Sequence, residues 1–272
     1  MYDVIERAVT RVIESMHENH GEQLTIDDMA RTAMFSKFHF SRVFQRVTGL
    51  SPGRFLSAVR VREAKRLLAS TSLSITHISH QVGYSSVGTF SSRFTQSVGL
   101  SPSRYRQVMS ITAQDLTNRG NPVPAWPTVT LHGTVTSPLP DRPIFAGIFP
   151  RPILEGRPAS FTLIRRPGPY VMRNVPEGHW YLIAQSVAES REDAIHYPPG
   201  GDAALCIARQ GPIAIGPEGG SQRADIRLKP MSLLDPPVLL ALRDPLSSWS
   251  ANANANANAN ANANADVGAD ER

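Results

Sequence analysis

Apolar residues along the first hundred positions recur with helical spacing. From Val4 to Asn19, Ile5, Val9, Val12, Ile13 and Met16 fall at i, i+4, i+7, i+8 and i+11, which predicts an amphipathic helix. Thr25, with Asp28 three residues on, makes a capping-box start, and Ile26, Met29, Ala30 and Ala33 then share one face. A third helix opens at Ser36, buries Phe40, Val43, Phe44 and Val47, and stops at Gly49. Two helices joined by so short a turn form a helix-turn-helix unit. Ser51 as cap and Pro52 at the first helical position begin a longer helix towards Ser70. Ala58, Val61, Ala64, Leu67 and Leu68 mark one side of it, and Arg60, Arg62, Lys65 and Arg66 the other.

The pattern then repeats. Ile75, Ile78 and Val82 return the scaffold positions Ile26, Met29 and Ala33 at an offset of 49. After one extra residue in the turn, Phe90, Phe94, Gly99, Leu100, Ser101 and Pro102 return Phe40, Phe44, Gly49, Leu50, Ser51 and Pro52 at an offset of 50. Two copies of one unit are therefore expected. Beyond Ser110 the character changes, for 20 of the 22 prolines lie there. Short β-rich runs, Thr128 to Val135, Ser160 to Ile164, Tyr181 to Val187 and Asp225 to Leu228, stand between Pro and Gly punctuation and predict a sandwich.

The architecture expected is multidomain. An all-α domain over 1–110 carries two helix-turn-helix units joined by a long helix, a linker covers 111–127, and an all-β sandwich covers 128–245. A low-complexity tail over 246–272, including seven Ala-Asn dipeptides at 251–264, is expected to be disordered.

Charge sharpens this division. Residues 1–110 hold 14 Lys/Arg against 8 Asp/Glu, and the remainder holds 14 against 15. Within the first part, Lys37 to Ser110 carries 11 basic residues and a single acid, Glu63. A block of one sign is a natural face for a polyanion, whereas a merely solvated surface interleaves both signs. The single cysteine, Cys206, excludes an internal disulfide framework and a thiolate zinc site, and reads as a small buried residue. No stretch reaches the roughly 18 apolar residues of a spanning helix and no signal core opens the chain, so a soluble, cytoplasmic protein is expected.

The doubled motif resembles the DNA-binding domain of the AraC/XylS family of bacterial regulators over about Val4 to Gln107. The resemblance is carried by Leu24 to Ala33, the segment Ser36 to Phe44, Gly49-Leu50-Ser51-Pro52, Ala64 to Leu68, Ile75 to Tyr84, Gly99-Leu100-Ser101-Pro102 and Tyr105-Arg106. It implies transcription regulation, with two helices read into the major groove of double-stranded DNA and RNA polymerase as a further partner. A reading helix buries one stripe and presents the opposite one, and Phe38, Ser41, Arg42 and Gln45 lie opposite Phe40 and Phe44. Arg42 fits guanine O6 and N7, Gln45 fits adenine, and Phe38 fits a thymine methyl. The competing readings are Arg42 on phosphate and Phe38 in the core. Lys37, His39, Arg46, Arg93 and Arg104 are expected on phosphate. In the second unit Ser86, Val87, Ser91, Ser92 and Gln96 occupy the expected base-contacting face. There the arginine of the Phe-Ser-Arg triplet is displaced by one position, to Arg93, about 100° around the helix. The first unit should therefore dominate specificity.

The second half resembles a transthyretin-like or carboxypeptidase-regulatory-like sandwich through Pro167 to Tyr170 and Asn174 to Tyr181. It is expected to form a homodimer or to sense a small-molecule effector, with association favoured because no convergent set of polar groups marks a pocket, and with Trp180, Tyr181 and Tyr197 as aromatic surface or core. The alternative is a carbohydrate-binding or enzymatic module recruited to DNA. No catalytic set, cofactor or metal site is expected: His77 and His80 lack companion ligands, and Glu189, Glu192 and Asp193 lack a base or nucleophile. A non-specific architectural DNA protein fits less well, because the basic block is mounted on two reading helices. Most members of the family place the sensing domain ahead of the DNA-binding domain, and this chain is expected to reverse that order.

Overall fold

The computed structural model describes residues 2–108, 128–187 and 205–240. The linker 111–127, the acidic stretch Glu189 to Asp193, Tyr197 and the Ala-Asn tail lie outside the described residues. Among those described, seven helices precede nine strands.

Helix α1 (Tyr2–Glu18) buries Val9, Val12, Ile13 and Met16, as its stripe requires. Thr25 caps α2 (Ile26–Ala33) with a full capping box: Asp28 N–H donates to Thr25 Oγ1 at 3.2 Å and Thr25 N–H donates to Asp28 Oδ2 at 2.9 Å. Helix α3 (Lys37–Thr48) ends at Gly49, whose φ of 81° is the left-handed stop glycine allows cheaply. Pro52 opens α4 (Pro52–Ser70), the central helix, which buries Phe55, Leu56, Ala58, Val59, Val61, Ala64, Leu67 and Leu68. A second short pair, α5 (Ile75–Gln81) and α6 (Val87–Val98), ends at Gly99 and is followed by α7 (Pro102–Val108).

The internal repeat extends to ring packing. Phe40, Phe44 and Phe55 stack edge to face with centroids 5.5 Å apart at each step. Fifty residues on, Phe90 packs tilted on Phe94 at 5.7 Å, and Phe94 meets Tyr105 edge to face at 5.6 Å. Arg60, half-way along α4, ties the two pairs together: its guanidinium donates to the His20 and Glu22 carbonyls at 2.8 and 2.7 Å and lies over the Tyr84 ring. Gly83, beside it with φ of 83°, has no room for a Cβ, which would stand 2.9 Å from that guanidinium. The basic side of α4 is therefore spent on internal bonds; Lys65 Nζ donates to the Leu239 carbonyl at 3.0 Å, and burial followed by Arg62 pulls its pKa down to about 8.

The strands form two sheets. One runs β4 (Gly168–Val175), β1 (Val129–Thr136), β7 (Gly220–Arg223), with β8 (Ile226–Arg227) also on β1. The other runs β3 (Ser160–Ile164), β2 (Ile144–Phe149), β5 (Gly178–Ser186), β6 (Cys206–Ile215), β9 (Lys229–Pro230). Val175 to Gly178 carries the chain from one sheet to the other. Strand β2 is buried at every residue because both its faces are covered. Ile144, Ala146 and Ile148 join a cluster with Leu131, Met172 and Leu182 between the sheets. Phe145 and Phe149, with Ile183 and Ile207, join the cluster that contains Phe44, Phe55, Phe94 and Tyr105. The helices thus form a third layer on the five-stranded sheet, and one apolar core runs from the helical half into the β half. Cys206 is buried between the sheets, where burial pushes its thiol pKa up.

Candidate nucleic-acid interface

The exposed side of α3 follows from what the buried side takes. Phe40, Val43, Phe44 and Thr48 face inward, so the residues between them point out. Lys37, Phe38, His39, Arg42, Gln45 and Arg46 are exposed and Ser41 is partly so. Phe38 is 81% exposed, which removes the core reading of this side chain. The side chains of Arg42, Gln45 and Arg46 make no hydrogen bond or ion pair within the described residues. Lys37 Nζ rests 3.0 Å from Asp27 in an exposed pair that water and salt screen readily. His39 packs its ring edge-on to Phe35 at 4.9 Å. The one acid of the basic block, Glu63, is held by Arg66 at 2.6 Å and does not dilute this face.

The second pair presents a poorer surface. Ser86 is consumed as the α6 cap, accepting from Thr89 N–H at 3.2 Å, while Val87 and Ser91 are half-buried and Ser92 is exposed. Gln96 is exposed, with its amide oxygen 3.5 Å from Arg93. Arg104 is exposed, and its guanidinium makes no hydrogen bond or ion pair among the described residues. Arg93 does not stand where the sequence places it. Its Nε donates to Ser57 Oγ on α4 at 2.9 Å, and its other end meets Glu155 of the β half at 3.5 Å. The 100° displacement turns it from the outer face into the seam between helices and β half, where Ser57 and Glu155 engage it.

The β half meets the helices at their C-terminal ends. Arg209 donates to the Thr48 carbonyl at 2.8 Å, the next residue, Gly49, lies against Pro152, and Gly156 N–H donates to the Ser97 carbonyl at 2.7 Å. The N-terminal halves of α3 and α6 stay open. Sequence reasoning missed Glu155, Arg54 and Arg209 as partners of this half; the mismatch of Arg93 with Val43 in the repeat was the available signal. His77 and His80 are exposed on α5, and no group of three His, Cys, Asp or Glu among the described residues is placed to hold a metal ion. No described helix is long and apolar enough to cross a membrane.

Short helix pairs hung on a central helix, with one basic helix face left open, define a helix-turn-helix protein. Residues 29–108 match the family model described as a helix-turn-helix domain. The lactose operon transcription activator of Staphylococcus xylosus is 31% identical over 109 residues, 40% of this chain and 39% of that protein. The HTH-type transcriptional activator AarP of Providencia stuartii is 30% identical over 98 residues, 36% of this chain and 73% of that one. A solved structure, the C-terminal domain of AraT, a response regulator from Geobacillus stearothermophilus, is 30% identical with a TM-score of 0.36 and covers 37% of this chain and 84% of that one. The chain belongs to the AraC/XylS family of regulators. It spans about two fifths of the length of the staphylococcal activator.

Proposed function

We propose that the protein is a sequence-specific DNA-binding transcription regulator in which α2–α3 and α5–α6 act as two helix-turn-helix units, laying α3 and α6 into adjacent major-groove segments. The observation that carries the reading is the open face of α3, where Phe38, Arg42 and Gln45 stand exposed and uncommitted beside cations. Arg42 reads guanine, Gln45 adenine and Phe38 a thymine methyl, with Ser41 beside them. Lys37, His39, Arg46 and Arg104 hold phosphate. Helix α6 contributes Val87, Ser91, Ser92 and Gln96, with Ser86 at its cap already bonded to Thr89; the short serine hydroxyls discriminate less, so the first unit carries most of the specificity.

Selecting bound DNA from a random pool with the whole chain tests this. On the selected site Arg42→Ala is expected to cost about 1 to 3 kcal/mol while sparing bulk DNA, and Lys37→Ala to weaken both and flatten the salt dependence. Equal losses for Arg42→Ala on selected and random DNA would move that residue to phosphate, and no enrichment from the pool would end the reading.

For the β half, ligand sensing has more support than self-association. A cleft of about 450 Å³ lies between α3 and the β half, lined by Gln45, Arg46, Tyr181, Arg209 and Lys229. Its cations outnumber its one acid, Asp235, which Arg209 already holds at 2.7 Å, so a small carboxylate or phosphate compound suits it. Occupancy would be felt at Gln45. A thermal-shift screen of small anions is expected to find a stabilising compound that also changes DNA affinity; a dimer without any such shift would favour association.

A further inference from the structure

The offset of 50 that superposes the two helix pairs in sequence sets Arg93 against Val43. Val43 is buried in the helical core, as an apolar side chain at that position should be. The second pair therefore carries a cation in a slot built for a hydrophobe, and a charge withdrawn from water needs a partner. Arg93 is 21% exposed at its side chain, and its counter-charge is Glu155, 10% exposed, from the segment that follows β2. Glu155 also accepts from Arg151 at 3.0 Å and Ser97 Oγ at 3.3 Å, with Arg54 at 3.7 Å. Arg54 and Arg151 are about twice as exposed as Arg93 and keep much of their water.

The following residue makes the contact directional. Gly156 N–H donates to the Ser97 carbonyl, one of the last four of α6, which have no partner within the helix. Gly156 takes φ of 68°, and a Cβ there would stand 2.9 Å from the Gln96 carbonyl. One dipeptide of the β half thus neutralises the misplaced arginine of α6 and closes the C-terminal end of the same helix.

We propose that Glu155 is a positioning residue for α6, so that the second part of the DNA site is read only while the β half is docked on the helices. This rests on the DNA-reading function proposed above. It makes the β half a component of the second reading unit, and it gives any ligand or partner that loosens the docking a route to the second part of the site alone.

The test uses the full chain with Glu155→Gln, Arg93→Val and the two combined, footprinted on the selected DNA, with hydrogen exchange of the α6 amides measured in parallel. Glu155→Gln is expected to weaken the site about tenfold, with loss of protection confined to the part under α6 and faster exchange there. Arg93→Val returns the residue that the first unit uses, so in that background Glu155→Gln should have little effect on footprint or exchange. The same loss in both backgrounds, or unchanged α6 exchange and footprint in Glu155→Gln, would overturn the proposal. So would a uniform loss of affinity in Arg93→Val alone, which would return that arginine to phosphate. If the unaltered chain protects no DNA, the DNA-reading function fails, and exchange at α6 in the same variants still decides whether Glu155 seats that helix.

Discussion

At the scale of single residues, what the chain keeps out of water decides as much as what it displays. His17 is partly buried, and its Nδ1 lies 3.0 Å from an Arg62 nitrogen. Arg62 can only donate, so the ring must be neutral to accept. Burial first, then the charges of Arg62 and His20, pull the His17 pKa from 6.5 down to about 4. Between those values the unfolded chain binds the proton and the folded chain does not, so the contribution of His17 is complete above pH 6.5 and is lost as pH falls towards 4. The melting temperature should drop over that window, and His17→Gln should drop less; superimposable profiles would show that the ring is free to protonate in the fold. Phe38 is the reverse case, an apolar ring that the fold leaves 81% exposed.

At the scale of elements, similar sequence signals produce different bonds. Thr25 and Ser36 both read as helix caps, and both have the extended backbone of a cap. Thr25 completes a capping box with Asp28, whereas the Ser36 hydroxyl makes no capping bond. Thr25→Ala should therefore cost about 1 kcal/mol of stability by denaturant unfolding, and Ser36→Ala only a few tenths. Equal costs would mean that the cap of α3 forms in solution. Among the strands, Ser160–Ile164 and Val129–Thr136 fall where alternation and punctuation put them. Strand β2 escapes that signal, since a strand covered on both faces reads as an unbroken apolar run.

At the scale of the whole molecule, the two halves are less separable than their compositions imply. Charge, proline content and periodicity all change near Ser110, yet Phe145, Phe149, Ile183 and Ile207 belong to the same core as Phe44 and Phe94. Burying one such side chain stabilises by roughly 1.5 to 3 kcal/mol, so removing the β half bares a substantial area on the helices. A fragment of residues 1–110 should melt at least about 5 °C below the full chain and bind an apolar dye that the full chain does not. An equal melting temperature would show that the helical half is complete without its neighbour. Footprints of that fragment should keep the part of the site under α3, whose open face owes little to the β half.

The sequence by itself determined the helices, their stops, the Thr25 cap, the internal repeat, the basic block and the outward face of α3. These are local or periodic properties, written within a few residues of where they act. It also carried the family, because the repeat joins core spacing to turn chemistry over a hundred residues. Only the tertiary structure decided where Arg93 points, that Glu155 answers it, that β4 and β5 lie in opposite sheets, and that one core serves both halves. Each depends on groups tens of residues apart meeting in space. No periodicity records such a meeting: a charge in an apolar slot reads as an anomaly until the fold brings the opposite charge beside it.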